Sequence, residues 1–191
     1  MRYRVWCAIA ILALARAGAA RAGECDGVSF PDHITVQGQD LTLNGLGLRK
    51  ATWFGIKVYV GALYLKHPSR NAAAILNTEE PSEIVLQFVR SVSAGELRGA
   101  WRDGFAHSAP GELARLRSRI EQVNGWMKGV KSGERMVFVR IPGQGIRYFL
   151  DGTLEGTIKG EDFAKAFLGI WLGPNPPGRR LKAGLLGGKC E

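Results

Sequence analysis

An arginine and a tyrosine in one apolar stretch are the side chains of this sequence best suited to binding an acid. The stretch is GLGLRKATWFGIKVYVGALYL, residues 45–65, in which they are Arg49 and Tyr59. A guanidinium can hold a carboxylate through two parallel N–H bonds, and a phenol can add a further bond. An unpaired buried charge is very costly, and the stretch contains no acid, so an acidic ligand is one candidate partner for the arginine. The alternatives are that Arg49 lies exposed at a hairpin or pairs with a distant Asp or Glu.

A hairpin turn would bring these two side chains together. Residues 53–55, Trp-Phe-Gly, fit a three-residue loop whose glycine takes the left-handed bulge position. That loop predicts a register in which Thr52 faces Ile56 and Arg49 faces Tyr59. Because cross-strand partners share one face of a sheet at a Cβ separation of about 5 Å, the guanidinium and the phenol are predicted to lie side by side.

The second strand of this hairpin is apolar on both faces. Such a strand is predicted to be central in its sheet and covered on each side. Alternation places Tyr59, Leu63 and Leu65 on one face, with Gly61 as a gap, and Val58, Val60, Ala62 and Tyr64 on the other.

The remaining elements must form the sheet that holds this hairpin. Strands are predicted at 33–37, 40–48, 56–66, 84–90, 135–141, 146–150 and 153–159, and helices at 70–77, 93–108, 110–128, 161–172 and 179–186. Ser69 is predicted to cap the first helix, and Ser93 with Glu96 has the spacing of a capping box for the second. Runs of strands interrupted by helices predict an α+β fold with one large antiparallel sheet and helices over one face. An all-β ligand barrel is the alternative, and the helices count against it.

The hairpin resembles the chalcone isomerase fold family. The resemblance is carried by Gly45-Leu-Gly-Leu-Arg49 followed by the strand KVYVGALYL at 57–65, and the order of the other elements agrees over nearly all of the chain beyond residue 22. The sequence looks most like the exported bacterial branch of the family. The resemblance implies an open-faced β-sandwich, a large antiparallel sheet with a helical layer and a ligand cleft between them.

The resemblance also implies which residues form the site. Enzymes of the family cyclise chalcones with the help of an arginine, and related non-enzymatic members hold the carboxylate of a fatty acid with the matching arginine; here this residue is Arg49. The threonine of the enzymes falls on Tyr59, as in the fatty-acid binders. A tyrosine, a lysine and an asparagine of the enzymes fall on Leu97, Ala100 and Gly104, and none of the three keeps a polar side chain.

An apolar stripe runs along the predicted helix that carries these three positions. Leu97, Ala100, Trp101, Gly104 and Phe105 follow the i, i+3, i+4, i+7, i+8 spacing of one helix face. Ordinary core packing explains most such stripes, but an arginine facing it makes the first four candidates for the lining of a pocket. Two further apolar sets are predicted to be plain core: Leu113, Leu116, Ile120 and Val123, and Phe163, Phe167, Ile170 and Trp171.

The first 22 residues are predicted to be a secretory signal peptide. They combine a basic start, an apolar segment at 5–15 too short to span a membrane, and a small-x-small sequence at 20–22. Cleavage after Ala22 would leave residues 23–191 as one chalcone isomerase-like domain, periplasmic or secreted. An uncleaved N-terminal anchor is the alternative.

The charge of the chain limits the partners to be expected. Loss of the predicted signal removes four arginines and no acids, so the formal charge falls from +9 to +5. This modest excess, with no basic run interleaved with aromatics, argues against nucleic acid. It is compatible with an anionic ligand and with transient contact with a membrane surface, or with a plain solvated surface.

The cysteines predict a disulfide. Cys7 lies in the predicted signal, which leaves Cys25 and Cys190 near the two ends of the remaining chain. In an oxidising compartment such a pair is typical of a disulfide, and closing so long a loop could contribute roughly 4–5 kcal/mol; two unpaired thiols are the alternative. No Cys/His spacing is typical of a metal site, and neither a metal nor a cofactor is expected. The three histidines are isolated and are predicted to lie in loops or at the surface.

Three functions are consistent with these residues. The first is a non-catalytic binding protein for a fatty acid or similar amphiphilic acid, held by Arg49 and Tyr59 in the cleft between sheet and helices. The second is an intramolecular lyase or isomerase of the chalcone isomerase type, for which Arg49 and Tyr59 alone provide little acid–base chemistry. The third is an interaction or structural module whose cleft is filled by its own side chains.

Overall fold

The computed structural model describes residues 22–51 and 54–191. Residues 1–21 of the predicted signal peptide, and Thr52 and Trp53 of the predicted hairpin loop, lie outside the described residues. Within the described ranges, no helix is long and apolar enough to cross a bilayer.

The fold is α+β, as predicted, and is built on one large antiparallel sheet. A separate two-stranded hairpin, β1 (Ala22–Cys25) and β2 (Val28–Pro31), comes first. Seven strands then lie side by side in chain order: β3 (His33–Val36), β4 (Gln39–Ala51), β5 (Ile56–Leu65), β6 (Ser82–Phe88), β7 (Arg135–Ile141), β8 (Gly145–Leu150) and β9 (Thr153–Ile158). The helices are α1 (Ala72–Asn77), α2 (Ala94–Ser108), α3 (Leu113–Trp126), which follows a 3₁₀ turn at Pro110–Glu112, α4 (Glu161–Leu172) and α5 (Arg179–Leu185).

Alternation along the strands gives the sheet two apolar faces. One face packs against the helices and supplies, among others, Tyr59, Leu63, Ile84, Leu86, Phe88, Met136, Phe138 and Tyr148 to the main core. We call it the helix face. The other, the outer face, carries a smaller core of Val60, Ala62, Tyr64, Val85, Val139 and Ile141, against which Phe30 of the β1–β2 hairpin packs. The central strand β5 is therefore covered on both sides, as its sequence predicts.

The first two helices begin where short polar side chains satisfy their free N–H groups. At α2 the predicted capping box is present: Ser93 Oγ accepts from the N–H of Glu96 at 3.3 Å, and Glu96 Oε2 accepts from the N–H of Ser93 at 2.8 Å. The predicted cap of α1 is wrong. Asn71 caps this helix by accepting from the N–H of Ala74 at 3.1 Å, while Ser69 instead accepts from the N–H of Asn71. The helix begins two residues later than predicted, which puts its free N–H groups nearer to Asn71.

The two glycines before Arg49 allow α5 to lie directly on β4. A Cβ at Gly45 would come within 2.1 Å of Gly184 O, and one at Gly47 within 2.4 Å of Leu181 O. Both clashes are with backbone atoms, which cannot move aside without shifting the helix. The Gly-x-Gly spacing of this motif is therefore a packing requirement.

The predicted disulfide between Cys25 and Cys190 is present and joins β1 to the chain after α5, with the two Cα atoms 5.8 Å apart. The β1–β2 hairpin that carries Cys25 was not predicted. Its turn is Asp26-Gly27, with φ angles of 52° and 75°, and an Asp-Gly pair is a strong two-residue hairpin signal. The signal is present in the sequence, but the flanking strands have only four residues each.

Candidate functional site

Arg49 and Tyr59 are direct cross-strand partners on β4 and β5, in the register that the sequence predicts. Both side chains lie on the helix face, because Gly47 and Gly61 form the next pair on that face and α5 packs over them. The guanidinium and the phenol therefore project into the same space between sheet and helices.

The turn from which this register was predicted is wrong in one respect. Ile56 pairs with Ala51 and not with Thr52, which makes the loop one residue longer than predicted. A bulge next to Arg49 then shifts the pairing by one residue. As a result Val58 packs against the core of the helix face, and not on the outer face as predicted. Gly55 has the expected left-handed φ, 75°.

A cavity of about 810 Å³ lies beside Arg49 and Tyr59, between the sheet and helices α2 and α4. This volume is within the range of small-molecule sites in proteins. The sheet contributes Leu86, Phe88 and Met136 besides the arginine and the tyrosine, and the four predicted lining residues of α2, Leu97, Ala100, Trp101 and Gly104, form part of the facing wall.

Aromatic rings pack closely against one another at the inner wall of this cavity and behind it. Trp101 of α2 stacks on Phe167 at a centroid distance of 5.1 Å and meets Phe138 and Trp171 edge-on at 5.2 and 5.5 Å. Edge-to-face and stacked contacts at these distances are favourable beyond the area they bury. The cavity therefore combines a polar pair on the sheet with an apolar wall opposite.

Arg49 is half-buried and has no carboxylate partner within residues 22–51 and 54–191. Its guanidinium donates to the carbonyl oxygen of its neighbour, Lys50. The acids that line the same cavity, Glu96 and Asp103, lie at exposed positions on α2, and Glu96 is engaged in the capping box. The remaining N–H groups of Arg49 are thus available to an anion in the cavity.

Tyr59 is 9% exposed and is held in place by two aromatic neighbours. Its hydroxyl oxygen accepts a hydrogen bond of 3.0 Å from Nε1 of Trp171, and its ring meets Phe88 edge-on at 5.6 Å. Burial raises the pKa of Tyr59 to about 12, although the Trp171 bond and the charge of Arg49 act in the opposite direction. The phenol therefore keeps its proton at neutral pH and can donate it.

The model of the chalcone isomerase-like family matches residues 22–187. The chain belongs to the chalcone isomerase-like family. Its structure is similar to the crystal structure of a fatty-acid binding protein of Arabidopsis thaliana, with a TM-score of 0.71 over 84% of this chain and 92% of that chain. The two sequences are only 16% identical, so this likeness shows the fold, the predicted sandwich of a large sheet and a helical layer. No curated protein matches the sequence.

The family resemblance also allows the α2 residues that line the cavity to be compared with the polar residues of the enzymes. The polar trio of the chalcone isomerases would fall on Leu97, Ala100 and Gly104, and at the last of these a side chain has no room. A Cβ on Gly104 would lie 2.9 Å from Cγ2 of Ile170, because α2 and α4 pack closely at this point. The space that an asparagine would need is thus taken by an apolar residue of α4.

Several residues around the cavity were not predicted. Ile170 and Trp171 line it, although the sequence predicts them as plain core, and residues 174–177 form part of its edge. Arg90, Asp103, His107 and Arg179 also line the cavity at exposed positions. The helix periodicity of α4 could not separate cavity lining from core, since both faces of that helix are buried. All three histidines are exposed, as predicted, with His107 near the cavity.

Proposed function

We propose that this protein binds a fatty acid or a similar amphiphilic acid without catalysing a reaction on it. The carboxylate would accept hydrogen bonds from Arg49 and Tyr59, and the alkyl chain would lie against Leu97, Trp101 and the other apolar residues of the cavity. The observation that carries the proposal is a half-buried arginine that faces a cavity with an apolar interior wall and has no acid partner among the described residues.

The chemistry of the pair supports an anion more than a neutral head group. Arginine cannot lose its proton in proteins, and the raised pKa of Tyr59, about 12, keeps the phenol a donor. Hydrogen bonds between charged groups are about twice as strong as neutral ones, and a guanidinium matches a carboxylate in shape. The Arabidopsis protein of similar fold, itself a fatty-acid binding protein, is in line with this proposal.

The alkyl chain has a suitable environment in the same cavity. Leu86, Phe88 and Met136 on the sheet face Leu97 and Trp101 on α2, so the interior away from Arg49 is lined by apolar side chains. Burying apolar surface contributes about 25 cal/mol per Å², and a chain laid along this wall would supply most of the affinity. The polar pair would then fix which end of the ligand lies at the sheet.

Lipid extraction from the purified protein, followed by mass spectrometry, tests the proposal. We expect a bound amphiphilic acid in the extract. We also expect Arg49→Met to weaken palmitate binding at least about tenfold, since a hydrogen bond to a charged group contributes about 1.5 kcal/mol or more.

Arg117→Met is the matched control for this substitution. It removes the same charge from an exposed position of α3, outside the cavity, and should leave palmitate binding unchanged. If no acid is extracted and the wild-type protein does not bind palmitate, the proposal is wrong.

The isomerase alternative has less support from the site. An intramolecular lyase must position an acid or base at the substrate, and the α2 positions that carry polar groups in the enzymes are Leu97, Ala100 and Gly104 here. Loss of chalcone absorbance that depends on Arg49 would favour it. The cavity beside Arg49 argues against the third alternative, a cleft filled by the protein's own side chains. Export, cleavage after Ala22 and contact with a membrane surface stay predictions.

A further inference from the structure

Trp171 forms a side-chain hydrogen bond, although the aromatic residues packed around it are apolar. Its indole Nε1 donates to the hydroxyl oxygen of Tyr59 over 3.0 Å, and this bond joins α4 to β5. Both residues are buried, at 2% and 9% exposure, and both line the cavity. The bond therefore reaches the hydroxyl group of Tyr59, which in the proposed function binds the carboxylate of the ligand.

The direction of this hydrogen bond is fixed by chemistry. An indole N–H is a donor only, so the phenol oxygen must be the acceptor. The plane of the indole is held by ring contacts to Trp101 at 5.5 Å, Phe167 at 5.4 Å and Phe138 at 6.3 Å. With the indole packed in this orientation, it occupies one acceptor site of Tyr59, and the O–H of Tyr59 points in another direction.

We propose that Trp171 is a positioning residue which makes the head-group end of the cavity a set of hydrogen-bond donors, and so selects acids over alcohols. The proposal rests on the proposed function, because it concerns the same pair, Arg49 and Tyr59. With Trp171 in place, that pair offers the N–H groups of a guanidinium and the O–H of a phenol. A carboxylate, which only accepts hydrogen bonds, satisfies all of them.

An alcohol with the same alkyl chain is a poorer match to this arrangement. It can accept one or two of the bonds, but its own proton needs an acceptor, and the phenol oxygen already receives the indole N–H. Sites that leave a buried polar group unpaired discriminate strongly against the ligand concerned. Without the indole N–H, Tyr59 could rotate its hydroxyl and accept from an alcohol, so the preference for acids should shrink.

The test compares palmitate with hexadecanol, each displacing a fluorescent fatty-acid analogue from the full protein. Trp171→Phe removes the N–H and keeps a ring on α4. We expect the ratio of palmitate affinity to hexadecanol affinity to fall about tenfold, as for loss of one hydrogen bond at a charged group. In a Tyr59→Phe background, adding Trp171→Phe should leave the ratio unchanged, because the indole then has no hydroxyl to orient.

Trp101→Phe is the matched control. It removes the same volume from the same wall, and Trp101 contacts the site through its ring faces and edges alone. It is expected to weaken both probes to a similar extent and to leave their ratio unchanged. Near-UV circular dichroism of each variant checks that the aromatic wall is intact.

The outcomes separate this inference from the proposed function. If the wild-type protein binds neither probe, the proposed function fails, and this inference fails with it. If palmitate binds and Arg49→Met weakens it, but the ratio in Trp171→Phe equals that of the wild type, only the role of Trp171 is overturned. An equal fall of the ratio in Trp101→Phe and Trp171→Phe also overturns it, because the effect would then be one of packing.

Discussion

Arg140 and Arg49 both project from strands of the large sheet, and of these two only Arg140 has a carboxylate partner among the described residues. Arg140 on β7 is 3% exposed, and its Nη2 lies 2.7 Å from Oε2 of Glu161 at the start of α4. The other oxygen of that carboxylate accepts the N–H of Gly143 at 2.8 Å. Arg49 on β4 is half-buried and faces the cavity. Arg140 is thus paired within the fold, whereas Arg49 has N–H groups that could bind an anion.

A partly buried carboxyl on the outer face, that of Glu83, loses its charge in a different way. Glu83 on β6 pairs across the sheet with Tyr64 and Val139. Burial raises its pKa to about 7, so it can take up a proton and become neutral. Arginine has no such option in proteins. Arg140 is neutralised by a partner and Glu83, below about pH 7, by a proton, whereas Arg49 keeps its full charge at a cavity.

Replacing the two arginines in turn gives the largest expected contrast. Arg140→Met removes the buried member of an ion pair whose other member, Glu161, is 39% exposed, so we expect the free energy of unfolding to fall by about 2–3 kcal/mol, mostly from the lost hydrogen bonds of the arginine. Arg49→Met removes a charge that has no carboxylate partner within the described ranges, and should change stability by less than about 1 kcal/mol. Urea unfolding followed by circular dichroism measures both. Equal losses of stability would mean that Arg49 is a structural residue after all.

The next effect concerns Glu83 and depends on pH. In an unfolded chain a glutamate has a pKa of about 4.3, below the folded value of about 7. Between these values the folded protein binds more protons than the unfolded chain, so stability falls as the pH rises from about 4 to about 7 and is then constant. Glu83→Gln should remove this fall and stabilise the protein by about 2 kcal/mol at pH 8.

Thermal unfolding across this pH range measures the Glu83 effect. Glu79→Gln, at an exposed position before β6, is the control and should leave the pH dependence unchanged. A Glu83→Gln variant with the pH profile of the wild type would show that this carboxyl is already ionised in the folded protein. The contrast between Glu83 and Arg49 would then lose its basis.

Much of this comparison could be predicted from the sequence, because it follows from local patterns. The alternation of β5 was enough to place Tyr59 on the helix face, but the predicted pairing of Arg49 with Tyr59 started from a wrong turn register and is restored by the bulge next to Arg49. The bulge that moves Val58 to the helix face was not predictable in this way. The sequence between Ala51 and Ile56 is compatible with more than one hairpin register, and alternation along β5 does not choose between them.

Features that depend on contacts between distant segments were the ones missed. The role of Trp171 needs α4 to lie across β5, a contact over 112 residues that no periodicity in α4 reveals. The Arg140–Glu161 pair likewise joins a strand to a helix that begins after two more strands. The aromatic stripe of α4 predicts burial correctly, but whether a buried residue faces core or cavity is decided by the elements packed against it.

The smallest expected effect comes from a partly exposed arginine–carboxylate pair, which has the geometry proposed for Arg49 and its ligand. Arg119 holds both oxygens of Asp162, at 2.8 and 2.7 Å, and this hydrogen bonding lowers the pKa of Asp162 to about 2. The stabilisation is present above about pH 4 and is lost as the pH falls towards 2. Because both side chains are partly exposed, Asp162→Asn should cost less than about 1 kcal/mol at pH 7. Thermal unfolding at pH 7 and pH 2 measures this, with a smaller difference between variant and wild type expected at the lower pH, where Asp162 is about half protonated. If Asp162→Asn lowered the free energy of unfolding as much as Arg140→Met, burial of the arginine would not determine how much an arginine–carboxylate pair contributes to stability. The half-buried position of Arg49 would then lose its significance.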